Sequence, residues 1–184
     1  DNIPKEFFHS NTEPVIDTSV MESAERYVEA VLPDLYVNSV NCEDKLIKYM
    51  LCSEYALGTL TKGMPNPDSV VYGNVAAMSI DFNWQKRNLK DKITEAIDNY
   101  KSTNSKMNIN EEPYLPKIIL IPKAGVITVG ANKKVAENAY AALLDTVYIM
   151  RGAEAFGGMK SLSLRHQYYI NNWAAEKRRA VKAS

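Results

Sequence analysis

Two short apolar runs, each fenced by turn residues, stand out near the middle of the chain. Lys117-Ile-Ile-Leu-Ile121 lies between Pro116 and Pro122, and Val126-Ile-Thr-Val129 lies between Gly125 and Gly130. β-branched runs of this length, bounded by Pro and Gly, read as strands, and Pro122-Lys-Ala-Gly125 between them reads as a tight turn. The pattern predicts a β-hairpin. After Gly130 the period lengthens: Val135, Ala139, Leu143, Val147 and Met150 recur every three or four residues, the spacing of one helical face. Asn132 supplies a cap and Gly157-Gly158 a stop, which predicts a helix of roughly 25 residues, about 37 Å long and able to cross a whole domain face.

The remaining elements follow in order. Residues 1–17 carry Pro4 and Pro14 with no period and read as an arm or linker ahead of one domain over 18–184. Ser19 followed by Glu22 is a capping box, and Val20, Ala24, Tyr27, Val28 and Val31 form one stripe before Pro33. Leu35 to Val40 reads as a strand. From Glu43 a single amphipathic helix carries Leu46, Met50 and Leu57 and ends at Gly58. Thr59 to Asp68 reads as a loop, and Ser69–Tyr72 with Val75–Ile80 as strands around a Gly73-Asn74 turn. Trp84 to Tyr100 is a helix with Leu89, Ile93, Ile97 and Tyr100 inward; Lys101 to Pro113 is a polar connection. Ser161 to Ser184 is a last helix with Tyr169, Ile170, Trp173 and Ala174 on one face. No internal repeat is present.

Composition narrows the classes of function. At 184 residues, 46% hydrophobic and 24% charged, the chain suits one soluble domain with a sizeable core. Twenty-two basic and 22 acidic residues cancel, so no overall field draws in nucleic acid or anionic lipid. No apolar run approaches the roughly 18 residues of a membrane-spanning helix. Cys42 and Cys52, ten residues apart on a predicted helix, are too far apart to bridge and read as buried, unreactive thiols of a reducing, cytoplasmic compartment. The first residue is Asp1 and no signal-peptide pattern follows, so the numbering reads as starting inside a longer product.

The wording of three segments resembles a known family. Ile121-Pro-Lys-Ala-Gly-Val-Ile-Thr-Val-Gly130, with the Ala-rich helix closing on Glu154-Ala-Phe-Gly-Gly158, resembles the C-terminal part of the class II (zinc-dependent) aldolase/adducin domain. In that family the strand reads Arg-Asn-His-Gly and its His ligates zinc; Ala124 stands at that place here. Lys62-Gly-Met-Pro-Asn-Pro-Asp-Ser-Val-Val-Tyr72 resembles the Gly-x-Leu-Thr-Pro-Asp-His-Val-Val-Tyr element of bifunctional rhamnulose-1-phosphate aldolase/dehydrogenase proteins, with Asn66 for the Thr and Ser69 for the His. Trp173-Ala-Ala-Glu-Lys-Arg178 resembles the ending that precedes their short-chain dehydrogenase domain. The resemblance spans about 59–80 and 114–182. It implies an α/β fold of three αβα layers around a mostly antiparallel sheet, in the second, non-catalytic lobe of such a protein.

Histidine decides the chemistry. A class II aldolase grips zinc with three imidazoles, two in a His-x-His pair, so that a Lewis acid polarises the carbonyl through an open coordination position. This chain has two histidines, His9 and His166, unpaired, and none between Asp81 and Pro116, where the fold would place the pair. Zinc is therefore the family's cofactor and none is expected here. Lys123 in the hairpin turn and His166 near the last helix are the fallback candidates for a nucleophile or an acid/base group. Gly125-Val-Ile-Thr-Val-Gly-Ala-Asn132 has the glycine spacing of a phosphate loop, but Ala131-Asn132 replaces the required Lys-Ser/Thr. No dinucleotide fingerprint occurs. Lys177, Arg178, Arg179 and Lys182 read as a solvated helix end, and Tyr27, Tyr49, Tyr100, Tyr140, Tyr148 and Tyr169 as core edges or an interface.

Three functions are open at this point. The chain is a catalytically empty structural lobe packed against a neighbouring aldolase or dehydrogenase domain or against another copy. Alternatively it is an active zinc lyase completed by another subunit, or a stand-alone sugar-phosphate binding module. Neither nucleic acid nor membrane is expected as a partner.

Overall fold

The computed structural model describes residues 13–105, 114–175 and 178. In chain order these form α1 (Met21–Val31), β1 (Tyr36–Val40), α2 (Lys45–Leu51), α3 (Glu54–Leu60), α4 (Pro67–Gly73), β2 (Met78–Ser79), α5 (Leu89–Ser105), β3 (Ile118–Ile121), β4 (Gly125–Gly130), α6 (Lys133–Ala153) and α7 (Leu164–Asn172). Short 3-10 turns precede α1 and α5 and follow α6.

The predicted hairpin is the centre of the sheet. The strand order is β1-β4-β3-β2. β4 pairs antiparallel with β1 and with β3, while β2 joins β3 in parallel. Every residue of β3 and β4 is buried, as expected of strands covered on both faces. Strand alternation sends Ile118, Leu120 and Val126 to one face, where they pack with α2, α3, α4, α6 and Ile170. Ile119, Ile121, Ile127 and Val129 go to the other, against α1 and α5. Three αβα layers result, around a mostly antiparallel sheet, as the resemblance implied. Each of these Ile and Leu side chains contributes about 1.5–3 kcal/mol when fully withdrawn from water. α6 comes down on β4 at Gly130, where a Cβ would lie 2.8 Å from the Ala136 amide and 2.8 Å from Val135 Cβ.

Several predicted elements form in place. β1, the hairpin and α6 match, and the Asn132 carboxamide accepts a hydrogen bond from the Val135 amide at 3.0 Å, capping α6. Gly157 takes a left-handed φ of 93° just past the helix, the stop predicted for it. Leu89, Ile93, Ile97 and Tyr100 of α5 are buried, although the helix begins at Leu89 after a 3-10 turn and runs on to Ser105.

Four expectations are corrected. The Ser19–Glu22 capping box does not form: Asp17 Oδ1 accepts from the Ser19 amide, and α1 starts at Met21 without a side-chain cap. The single helix from Glu43 is two, because Ser53 turns extended and its hydroxyl caps α3, leaving Gly58 inside a helix. Ser69–Tyr72 is not a strand but part of α4. Asn66 caps it through the Ser69 amide at 2.8 Å, and Pro67 occupies the first turn, where its missing N–H costs nothing. On α7 the presumed single face divides, since Ile170 is buried while Tyr169 and Trp173 are exposed. Most of the predicted 101–113 connection and of the 1–17 arm lie outside the described residues. The described end of the arm is fastened: Asp17 donates its amide to Lys123 O at 2.8 Å, and its carboxylate meets Lys86 Nζ at 2.6 Å.

These contacts have measurable consequences. Asn66→Ala lowers stability by about 1 kcal/mol in denaturant titration, whereas Ser19→Ala, which caps nothing, costs a few tenths of that. Gly130→Ala costs about 1–3 kcal/mol, because the obstructing atoms are backbone and a branched side chain. The Lys86 ammonium, with Ser19, holds the Asp17 carboxyl at about 2 instead of 3.8. A folded value below the unfolded one stabilises the fold above the unfolded value and is lost as pH falls. Lys86→Met therefore flattens the loss of stability between pH 3.8 and about 2.

Candidate functional site

The β3–β4 turn carries the two positions that the resemblance and the sequence single out. Lys123 adopts φ 61°, a left-handed conformation rare outside glycine. Its backbone is held on both sides, the amide donating to Leu51 O at 2.9 Å and the carbonyl accepting from Asp17 at 2.8 Å. Trp84 Nε1 donates to Pro122 O at 2.8 Å, and Ala124 N closes the turn on Ile121 O at 3.0 Å. The Lys123 ammonium lies over the Phe82 ring, 4.1 Å from its centroid, a cation–π contact at an exposed side chain.

Ala124 is fully buried in an apolar cluster with Met21, Ile121 and Ile127. A zinc ion does not fit these residues. The methyl of Ala124 has no lone pair, and it packs in a cluster with the apolar side chains of Met21, Ile121 and Ile127. Burial raises both thiols, Cys42 strongly enclosed and Cys52 half-buried, away from the thiolate that a metal requires. Among the described residues no three His, Cys, Asp or Glu side chains converge to hold a metal. His9 lies outside them.

His166 is remote from the turn in use as well as in sequence. It is exposed in the first turn of α7. Ser163 Oγ lies 3.0 Å from its Nδ1 and also accepts from its amide at 3.3 Å, so the pair serves as a helix cap. Neither Lys123 nor His166 lines the α4–α6 cleft or the smaller cleft beside β2; Lys123 sits over Phe82, and His166 pairs with Ser163 at the start of α7. Of the basic tail, Arg178 bonds the Ala174 carbonyl at 3.2 Å; Lys177, Arg179 and Lys182 fall outside the described residues. Lys117 is a group the sequence pattern passed over as the start of a strand. Burial lowers its pKa, and its ammonium donates to Val71 O at 3.0 Å in the last turn of α4, where a cation complements the helix dipole.

A cleft of about 1000 Å³ runs between α4 and α6. Asn66, Asp68, Ser69 and Tyr72 line one wall, and Lys134, Asn138, Asp145 and Tyr148 the other. This places the Asn66-Pro-Asp-Ser69 segment of the second resemblance in a cleft, through a helix that the β-branched run concealed. Ser69 is buried, and its Oγ lies 3.0 Å from the Thr146 hydroxyl, which itself bonds Ala142 O at 2.7 Å. No imidazole or thiol lines the cleft to activate that hydroxyl. Its amides, carboxylates, single Lys and two phenols suit the binding of a polar molecule.

No helix among the described residues is long and apolar enough to cross a membrane. The family described as "Aldolase class II, second domain" matches residues 16–179. An aldolase II superfamily protein from Pseudomonas syringae, known from its crystal structure, superposes with a TM-score of 0.52 at 10% identity. The superposition covers 90% of this chain and 61% of that one, so the present chain spans about three fifths of that protein's length. At this identity the likeness is one of fold. A comparison with curated proteins gives no match. Matched by the family model over 16–179, the chain belongs to the class II aldolase second-domain family.

Proposed function

We propose that this chain is the non-catalytic lobe of a larger class II aldolase-type protein, and that it acts by packing against a neighbour. The observation that carries the reading is Ala124: a fully buried methyl stands where the resemblance puts a zinc-binding imidazole. The second-domain family match over 16–179 supports it. The partner is a neighbouring aldolase or dehydrogenase domain, with the rhamnulose-1-phosphate aldolase/dehydrogenase arrangement as the specific case, or a second copy of the chain. Exposed apolar side chains suit that role, with Tyr148 and Ile149 on α6 and the stacked Tyr169 and Trp173 beyond them in the chain.

A second reading has its own support. The α4–α6 cleft has the size and the polar groups to hold a small hydroxylated ligand, which favours a binding module that retains a sugar-phosphate pocket. Nothing comparable supports an active lyase completed by another subunit.

Incubated with zinc and a ketose 1-phosphate, the purified chain is expected to release no aldehyde, and cleavage above the no-protein rate would overturn the proposal. Thermal unfolding with ketose 1-phosphates separates the two readings. An inert lobe shows no rise in midpoint, whereas saturable stabilisation without turnover favours the binding module. Ala124→His is expected to cost about 1–3 kcal/mol by overpacking a filled site and to confer no cleavage, since one imidazole does not make a zinc centre.

A further inference from the structure

A second cleft, of about 350 Å³, opens beside the edge of β2, which no further strand among the described residues pairs. One wall is a stripe of α5 carrying Lys92, Glu95, Asn99 and Thr103; the other is Thr61-Lys62, just past α3. The backbone of 75–79 lies between them.

The ladder shows which backbone groups there face away from β3 and have no backbone partner among the described residues. Met78 stands opposite Ile119 and Ser79 opposite Leu120 in parallel pairing, and Ile80 donates its amide to Leu120 O at 3.3 Å. In a parallel ladder alternate residues bond the neighbouring strand. Met78 and Ile80 therefore turn inward to β3, and Ser79 turns its N–H and C=O out to the cleft. The open stretch is short, because Ala77 already donates to Leu60 O at 3.3 Å and Ala76 O accepts from the Tyr100 hydroxyl at 3.0 Å.

The cleft is also electrically bipolar. Where β2 ends, Asp81 and Glu95 flank Lys92, which bonds Glu95 at 3.0 Å, so two carboxylates exceed one ammonium. Where β2 begins, Lys62 is exposed and is the charged side chain of that wall. Asp81 lies four residue steps beyond Ala77, about 13 Å at 3.3 Å per step.

We propose that this cleft binds a short extended peptide with free termini, about three residues long, added antiparallel to the edge of β2. Its middle residue exchanges two hydrogen bonds with the N–H and C=O of Ser79. Its ammonium meets the surplus negative charge of the Asp81, Glu95 and Lys92 group, and its carboxylate meets Lys62. A fully extended tripeptide spans about 10 Å, leaving each terminus within reach of its charged group. The closed edge at Ala77 limits the length. A neutral small molecule would use the Ser79 pair and neither end, and a long strand would collide with the Leu60 contact.

Isothermal titration of the chain with tri-alanine tests this, alongside N-acetyl-tri-alanine and tri-alanine amide. Saturable one-site binding is expected, weakened about five-fold by either cap, in keeping with partly exposed charge pairs. Lys62→Glu, a surface change that leaves the fold intact by its unfolding midpoint, lowers affinity for tri-alanine at least five-fold and leaves affinity for the amide unchanged. The proposal is overturned if tri-alanine fails to bind at about 10 mM, if capped and free peptides bind alike, or if Lys62→Glu weakens the amide as much as the free peptide.

Discussion

Complete burial of the two strands of the β3–β4 hairpin is the constraint from which the rest of the structure follows. Ten strand residues without an exposed position require cover on both faces, since a sheet face left bare would keep Ile118 to Ile121 and Val126 to Val129 in water. α6 and the helices beside it supply one cover, α1 and α5 the other. That arrangement places the Pro122–Gly125 turn at the end of the sheet, stitched to Leu51, Asp17 and Trp84. The turn is rigid because its neighbours bond its backbone. Its side chains contribute a buried methyl from Ala124 and an ammonium from Lys123 set over the Phe82 ring.

The parts of the fold legible in the sequence are those in which local pattern and tertiary demand agree. Runs fenced by Pro and Gly become the hairpin, and a capped 3.6-residue period becomes α6. Disagreement arose where composition and position compete. Val70-Val71-Tyr72 is a strand former by composition, yet Asn66 capping Ser69 and Pro67 in the first turn make it a helix, so the start signal outweighed propensity. Ser53 divides one apparent helix into two by the same means. At 19–22 a capping box was present in letters only, because Asp17 reached the first free amide instead.

The clefts were less legible than the fold, for a physical reason. Both are built from residues far apart in sequence: 66–72 with 134–149, and 61–81 with 92–104. The Asn66-to-Ser69 wording drew attention through resemblance, but only the α4–α6 packing shows that it lines a cavity. In the sequence Lys117 resembles an edge residue, because it stands beside a strand. Its burial and its bond to Val71 O become visible only once α4 exists. Lys123 and His166, the two reactive side chains the sequence offered, are spent on a ring contact and a helix cap.

The proposed reading rests on a class II aldolase second-domain scaffold whose 122–125 turn carries Lys123 and a buried Ala124. Anomalous diffraction at the zinc absorption edge, from crystals grown with excess zinc, tests this most directly. The account predicts no ordered tetrahedral peak within ligating distance of the 122–125 turn. A full-occupancy zinc held there by side chains of this chain would contradict it.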